Sequence, residues 1–445
     1  MVQSLAFDEY REKERTKHVH RLHPYKGKFI PQLVEYFLDE HTDELKRDTW
    51  FRAGDVILDP FCGSGTTLVQ AGELGIHAIG VDISEFNTLL ANIKVSRPDL
   101  NELYITARRL VRQLKEFNAG AAYLEFDVAV GEALSQFNKE KLSLNGHNEG
   151  PENSARLVRD FMEEWNYLRA EYSVNLRQEQ DDTFLSFWYV EPIRKEIDFL
   201  HGEIKSIPDT SIRNVLSLAL SRTLRSCRAT THADLATLKS PVFEPYYCRK
   251  HRRICKPLLT ATKWWERYAL DSVSRIAAYR RLRTPTHQIC ITDDARSSCL
   301  ETAVRNTDSG LAQIMEKQGV QGIFSSPPYV GLIDYHEQHA YAYELFGLAR
   351  RDEWEIGAKF NGQGRQARED YVEAIVQVLR NCKRYLAPDY DVFLVANDKW
   401  DLYPSIAQGS GMRIIKRYER PVLYRTEKNR NTPYGETIFH LKEVS

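Results

Sequence analysis

Val56-Ile-Leu-Asp-Pro-Phe-Cys-Gly-Ser-Gly-Thr66 is an apolar run that stops in a turn carrying two glycines. Val56-Ile-Leu58 predicts a short buried strand, and Thr66 to Leu74 has helical apolar spacing closed by Gly75. Ile76-His-Ala-Ile-Gly-Val81 then predicts a second strand. Strand, turn, helix and strand make one βαβ unit, which requires a parallel sheet and a right-handed crossover. The turn excludes two common phosphate sites. No lysine follows Gly65, so it is no GxxxxGK[ST] loop, and Leu68 stands where a GxGxxG pattern needs its third glycine. What remains is a glycine turn that lets backbone approach a ligand closely. Asp82 ends the second strand about 20 residues on, where an acidic side chain accepts hydrogen bonds from ribose hydroxyls. That combination predicts an adenosine-bearing ligand.

Outward from this unit, residues 29 to 41 have helical spacing with Pro31 in the first turn. From residue 98 to 287 the texture becomes charged and mostly helical, broken by a polar loop at Asn145 to Ser154. Strand signals return at Gln288 to Thr292, Gly322 to Ser325 and Asp391 to Ala396, with a helix from Tyr371 to Tyr385. Arg413 to Tyr418 and Glu436 to Leu441 read as the arms of a closing antiparallel pair. We therefore expect an α/β fold, a Rossmann-like and mostly parallel sheet split by a large helical insertion. The expected parts are 1–97, the insertion 98–287, and 288–445.

Composition sets the class. The 445 residues exceed one ordinary domain, and 42% hydrophobic with 28% charged is usual for a soluble globular chain. No apolar run approaches the ~20 residues of a membrane span, and the first ten residues lack an export signal, so a cytoplasmic protein with no membrane partner is expected. Seven cysteines, scattered and odd in number, fit reduced thiols. The net charge of −1 conceals an asymmetry: residues 213 to 283 hold sixteen Lys or Arg against four Asp or Glu, about +12. Positive charge concentrated in this way is the usual footprint of a polyanion.

A second motif, Ser326-Pro-Pro-Tyr329, follows a buried-strand signal directly. An exocyclic base amine is a weak nucleophile because its lone pair is delocalised into the ring. Acceptors aimed at its hydrogens localise that pair. Ser326 offers a hydroxyl oxygen, Pro327 and Pro328 stiffen the turn so that a backbone carbonyl becomes a second acceptor, and Tyr329 offers a face for stacking.

Asp59-Pro-Phe-Cys-Gly-Ser-Gly-Thr66 together with Ser326-Pro-Pro-Tyr329 resembles the DNA amino-methyltransferases, and the serine resembles their cytosine-N4 members. The resemblance implies S-adenosylmethionine as cofactor, held by Phe29, Asp59, Pro60, Phe61, Gly63, Ser64, Gly65, Thr66, Asp82, Ile83 and Asp294. In that scheme Asp59 lies near the methionine ammonium, Asp82 on the ribose, and Asp294 at the adenine amine. Phe29, in His23-Pro-Tyr-Lys-Gly-Lys-Phe29, approaches the methionine moiety. It also implies double-stranded DNA as partner and admits a cognate restriction endonuclease. The alternatives are adenine-N6 methylation of DNA, guanine-N2 methylation of RNA, and a silent DNA-binding protein that keeps the fold. No separate RNA-binding module precedes residue 18, and intact motifs argue against silence.

The insertion matches no motif of comparable strength and is the expected target-recognition region. Within it Arg249, Lys250, Arg252, Arg253, Lys256, Lys263 and Arg267 are interleaved with aromatics, as phosphate and base contacts require. Cys248, His251 and Cys255, with Cys227 and His232, lack Cys-x2-Cys spacing. They are read as buried thiols and a phosphate-facing histidine, with structural zinc as the alternative and no metal assigned. Asp334 to Tyr343 is expected to form one helix lining the pockets, and Gly357 to Gly364 a loop.

Overall fold

Among the described residues, seven strands form one sheet in the order β5-β2-β1-β6-β7-β9-β8. They are β1 Val56–Asp59, β2 His77–Asp82, β5 Gln288–Thr292, β6 Val320–Ser325, β7 Leu386–Ala396, β8 Met412–Pro421 and β9 Gly435–Glu443. The computed structural model describes residues 5–144, 151–180, 182–235, 237–422 and 435–444, so most of the polar loop at Asn145 to Ser154 lies outside the described residues. β1, β2, β5, β6 and β7 run parallel, and β9 pairs antiparallel with both β7 and β8. The arms of the closing pair are therefore neighbours as expected, with β9 inserted between β8 and the parallel strands.

Local chemistry explains the first unit. Val56 to Asp59 is buried at every position, which suits a central parallel strand. Gly65 caps the helix Thr66–Leu74 at φ +72°, and Gly75 ends it at φ +77°, both left-handed conformations that favour glycine. A side chain at Gly65 would also meet Ala91 Cβ at 2.8 Å, so that helix and the helix Glu85–Val95 pack in close approach there. Val56, Leu58, Ile79, Ile323, Val392 and Leu394 give the sheet its apolar core, against which Ile375 and Leu379 of the helix Arg365–Lys383 are buried.

The described chain divides into two units: Met1–Arg97 with Ser274–Tyr343 and Gly347–Ser445, and Pro98–Val273 with Glu344–Phe346. Residues 274–287, assigned above to the insertion, thus belong with the sheet. Tyr279 Oη donates to Val69 O at 3.1 Å and Thr284 N to Gly72 O at 2.8 Å, tying this stretch to the helix behind the glycine turn.

The second unit is mainly helical, with Leu100–Phe117, Ala122–Leu144, Pro151–Glu171, Glu191–Lys205 and Thr210–Cys227. Glu196 is fully buried, and its carboxylate accepts from Asn118, Tyr123, Thr260 and the Ala261 N–H. A small antiparallel hairpin, β3 Tyr246–Cys248 and β4 Arg253–Cys255, interrupts the helices. Its three-residue strands are too short to register as a period-two pattern. Among the described residues no helix is long and apolar enough to cross a membrane.

Candidate functional site

In an open parallel sheet, ligands sit at the carboxyl ends of strands where the strand order reverses. Here that place is between β1 and β6, because the chain builds outward to β2 and β5 and then returns to the other side of β1. A cleft enclosing about 840 Å³ of space, part of it open to solvent, lies at these carboxyl ends. Asp82 at the end of β2, Asp294 just beyond β5 and Ser326 just beyond β6 line it together. The two motifs are joined behind it: Ser325 Oγ donates to Asp59 Oδ1 at 2.6 Å across 266 residues of chain.

Most of the expected cofactor residues reach the cleft: Phe29, Pro60, Phe61, Gly63, Ser64, Thr66, Asp82, Ile83 and Asp294. Asp59 and Gly65 do not line it. Asp59 is 1% exposed and points at Ser325 and the Phe61 N–H, so the carboxyl stands behind the wall rather than in it. Gly65 is occupied by the close packing on Ala91. Of the second motif, Ser326 and Pro328 line the cleft, Pro327 is buried, and Tyr329 is half-buried outside the lining. Tyr329 Oη donates to Glu436 Oε1 at 2.9 Å, and Glu436 is ion-paired with Arg420, which fixes the ring.

Sequence reasoning did not single out Tyr25, Asn87, Asp293, Trp354 and Glu355, which also line the cleft, whereas Tyr335 comes from the segment Asp334 to Tyr343 expected to line the pockets. Tyr25 stacks on Tyr335 with ring centres 6.0 Å apart, and Asn87 Nδ2 donates to Tyr25 Oη and to Asp82 Oδ1. Asn87 had a usable signal, since it lies in the first turn of the helix that follows Asp82, and Tyr25 and Asp293 stand inside or beside motif segments already singled out. The expected helix at Asp334 to Tyr343 is two, Tyr335–Gln338 and Ala340–Phe346, broken at His339. The His339 ring is buried against Phe86 and Tyr25, and that packing replaces a continuous helix.

Asp82 is the organising acceptor. Its carboxylate accepts from Gly63 N at 2.7 Å, Ser84 N at 2.9 Å and Asn87 Nδ2 at 3.0 Å. A carboxylate has about four lone-pair sites, so about one remains for a ligand. Asp294 is paired bidentately with Arg296, with contacts of 2.7 to 2.9 Å. Lys94, buried behind the turn, donates its ammonium to the Ser64 carbonyl. Three buried oxygens of cleft-lining residues, Ser64 Oγ, Thr66 Oγ1 and Asn87 Oδ1, have no partner among the described residues. Buried polar atoms are rarely left so, and these three fit a polar, nucleoside-bearing ligand.

Ser326 Oγ donates to Val395 O at 3.1 Å, which commits its proton to the end of β7 and leaves its lone pairs for another donor. Burial pushes the Asp59 carboxyl up to about 6, against hydrogen bonds from Ser325, Thr67 and the Phe61 N–H that pull it down.

In the second unit Arg249, Lys250, Arg252, Arg253, Lys263 and Arg267 are exposed. Lys256 is different: it is ion-paired with Asp127, so its charge is committed. Part of the basic surplus is likewise internal, since Arg222 pairs with Asp271 and Arg228 donates to Leu235 O.

A Rossmann-like sheet that gathers Asp82, a glycine turn and Ser326 in one cleft has the architecture of a class I methyltransferase. A family model described as DNA methylase, for N6 and N4 methyltransferases, matches residues 5–92. Over 450 aligned positions the chain is 44% identical to the Type II methyltransferase M.MjaII of Methanocaldococcus jannaschii, spanning 98% of this chain and 83% of that one. A shorter match, 35% over 116 residues, is to a tRNA (guanine(10)-N2)-dimethyltransferase of the same organism and covers 22% of this chain and 30% of that one. Another, 34% over 94 residues, is to the Type II methyltransferase M.MvaI of Kocuria varians, with 21% and 19% covered. The chain belongs to the DNA amino-methyltransferase family, whose methyl donor is S-adenosylmethionine.

Proposed function

We propose that this DNA methyltransferase modifies the N4 amine of a cytosine flipped out of the duplex. The observation that carries the reading is Ser326, a hydroxyl whose proton is held by Val395 O and whose oxygen lines the same cleft as the glycine turn. An acceptor so placed draws on an amine N–H and turns the nitrogen lone pair outward. The first position of this motif is serine, and the resemblance ties serine to cytosine. Bound S-adenosylmethionine supplies a methyl on a sulfonium, so no covalent protein nucleophile is needed.

Ser64, Thr66, Asn87 and Asp82 would hold the nucleoside portion, and the lining aromatics Phe29 and Tyr25 would exclude water from the donor. Tyr329, held by Glu436, is the proposed stacking face, which offsets part of the few kcal/mol that flipping a base costs. Arg249, Lys250, Arg252, Arg253, Lys263 and Arg267 are the proposed phosphate contacts. The Type II relative that matches nearly the whole chain supports a restriction–modification setting with a cognate endonuclease.

A pH prediction tests the donor side. A cationic ligand in the cleft favours the ionised form of Asp59, which in the free protein holds its proton below about 6. Its folded pKa is raised, so ligand binding releases a proton there. Affinity for S-adenosylmethionine is therefore expected to rise with pH up to about 6 and stay flat above, at no more than about tenfold per pH unit. Calorimetry between pH 5 and 7.5 reads this, and Asp59→Asn should abolish the slope; an unchanged slope would assign it to another group. The base itself is identified by expressing the chain in cells lacking other methyltransferases and digesting their DNA to nucleosides. N4-methylcytosine is expected, and N6-methyladenine alone would favour the adenine reading.

A further inference from the structure

Outside the cleft, the second unit gathers four metal-binding side chains at one point. His232, Cys248, His251 and Cys255 each present a ligand atom, and all four atoms lie within 4.8 Å of one another. We propose that these residues bind one zinc ion that fixes the β3–β4 hairpin. Cys227, grouped with them in the sequence, is instead buried at the end of the helix Thr210–Cys227 and takes no part.

The distances agree with coordination. Zinc bonds of about 2.3 Å to sulfur and about 2.05 Å to nitrogen, at a tetrahedral angle, put sulfur and nitrogen about 3.6 Å apart. Cys248 Sγ lies 3.6 Å from His232 Nδ1, and Cys255 Sγ lies 3.7 Å from His251 Nδ1. Two thiolates and two neutral imidazoles balance the charge of a divalent ion, so burying the site leaves no net charge. Tyr246 Oη is 2.7 Å from His232 Nδ1, so metal binding exchanges that hydrogen bond for coordination. The phenol keeps the 3.3 Å contact from the His232 backbone N–H that holds the loop in place.

Each strand of the hairpin has three residues, and among the described residues the pair has no third strand beside it; its other support is packing on the helices Ala122–Leu144 and Pro151–Glu171. Its tip, Arg249-Lys-His-Arg-Arg253, brings four exposed cations together, with Arg252 at φ +52°. Beside that packing, Asn138 clamps Ile254 of β4 through two hydrogen bonds of 2.9 and 3.0 Å. A four-coordinate ion spans Cys248 on β3, Cys255 on β4, the tip and the loop at His232, and so fixes the hairpin from both sides.

The test is elemental analysis of the full chain, grown with zinc, purified under reductant and dialysed without chelator. About one zinc per chain is expected, falling at least tenfold in Cys248→Ser and Cys255→Ser but not in Cys227→Ser. Should the serine variants fail to fold, cobalt(II) added to metal-stripped wild-type chain decides, through the absorption of tetrahedral thiolate-bound cobalt. Absence of both zinc and that absorption in the wild type overturns the proposal. So does zinc retained by the double cysteine variant, or a Cys248–Cys255 disulfide found by mass spectrometry in the reduced protein.

Discussion

Ser326→Ala is expected to lower the rate of methyl transfer by about a hundredfold or more while S-adenosylmethionine binds as before. Removing one preorganised polar group that acts on the reacting centre costs about that much in comparable sites. The variant loses a single hydrogen bond to Val395 O, about 1 kcal/mol of stability, so the fold should persist. None of the three unpartnered oxygens at the cleft belongs to Ser326, which is why donor affinity is spared. Single-turnover methylation with saturating donor and DNA separates chemistry from binding. Full activity in the variant would remove the hydroxyl from the mechanism.

Asp82→Ala carries the other large effect, on the opposite side of the cleft. The substitution takes the acceptor from three donors at once, the N–H groups of Gly63 and Ser84 and one amide hydrogen of Asn87, which keeps its bond to Tyr25 Oη. Each buried donor left unpaired costs about 1–3 kcal/mol, and the proposed ribose acceptor goes with them. Affinity for S-adenosylmethionine should fall at least a hundredfold, since about 1.4 kcal/mol corresponds to tenfold. Asp82→Asn should rescue little, because its new amide hydrogens would face groups that are themselves donors. DNA binding should change far less than donor binding. An unchanged KM for the donor would displace Asp82 from the role given to it.

The first βαβ unit was legible because its signals are local: a buried run at Val56, left-handed glycines at 65 and 75, and an acidic strand end at Asp82. The returning strands β5, β6 and β7 were legible as apolar runs. The position of β9 between β7 and β8 was not, since strand order depends on pairing between distant residues. Nor was the break at His339, which tertiary packing imposes on a helical pattern.

The site divides the same way. Residues on the glycine turn and beyond the strand ends were found by motif, whereas Trp354 and Glu355 come from a segment that only the fold brings to the cleft. Asp59 shows the converse: its place in the motif is plain, but the side chain turns to Ser325, behind the cleft. Lys256 likewise reads as a free cation in sequence and is committed to Asp127 in the fold.

The most direct measurement supplies the purified chain with methyl-labelled S-adenosylmethionine and a mixture of plasmid DNA and tRNA, then digests both and identifies the labelled nucleoside. Label is expected in N4-methylcytosine from the DNA, and almost none when Ser326→Ala replaces the wild type. Label confined to the tRNA, or to N6-methyladenine, would contradict the cytosine-N4 reading.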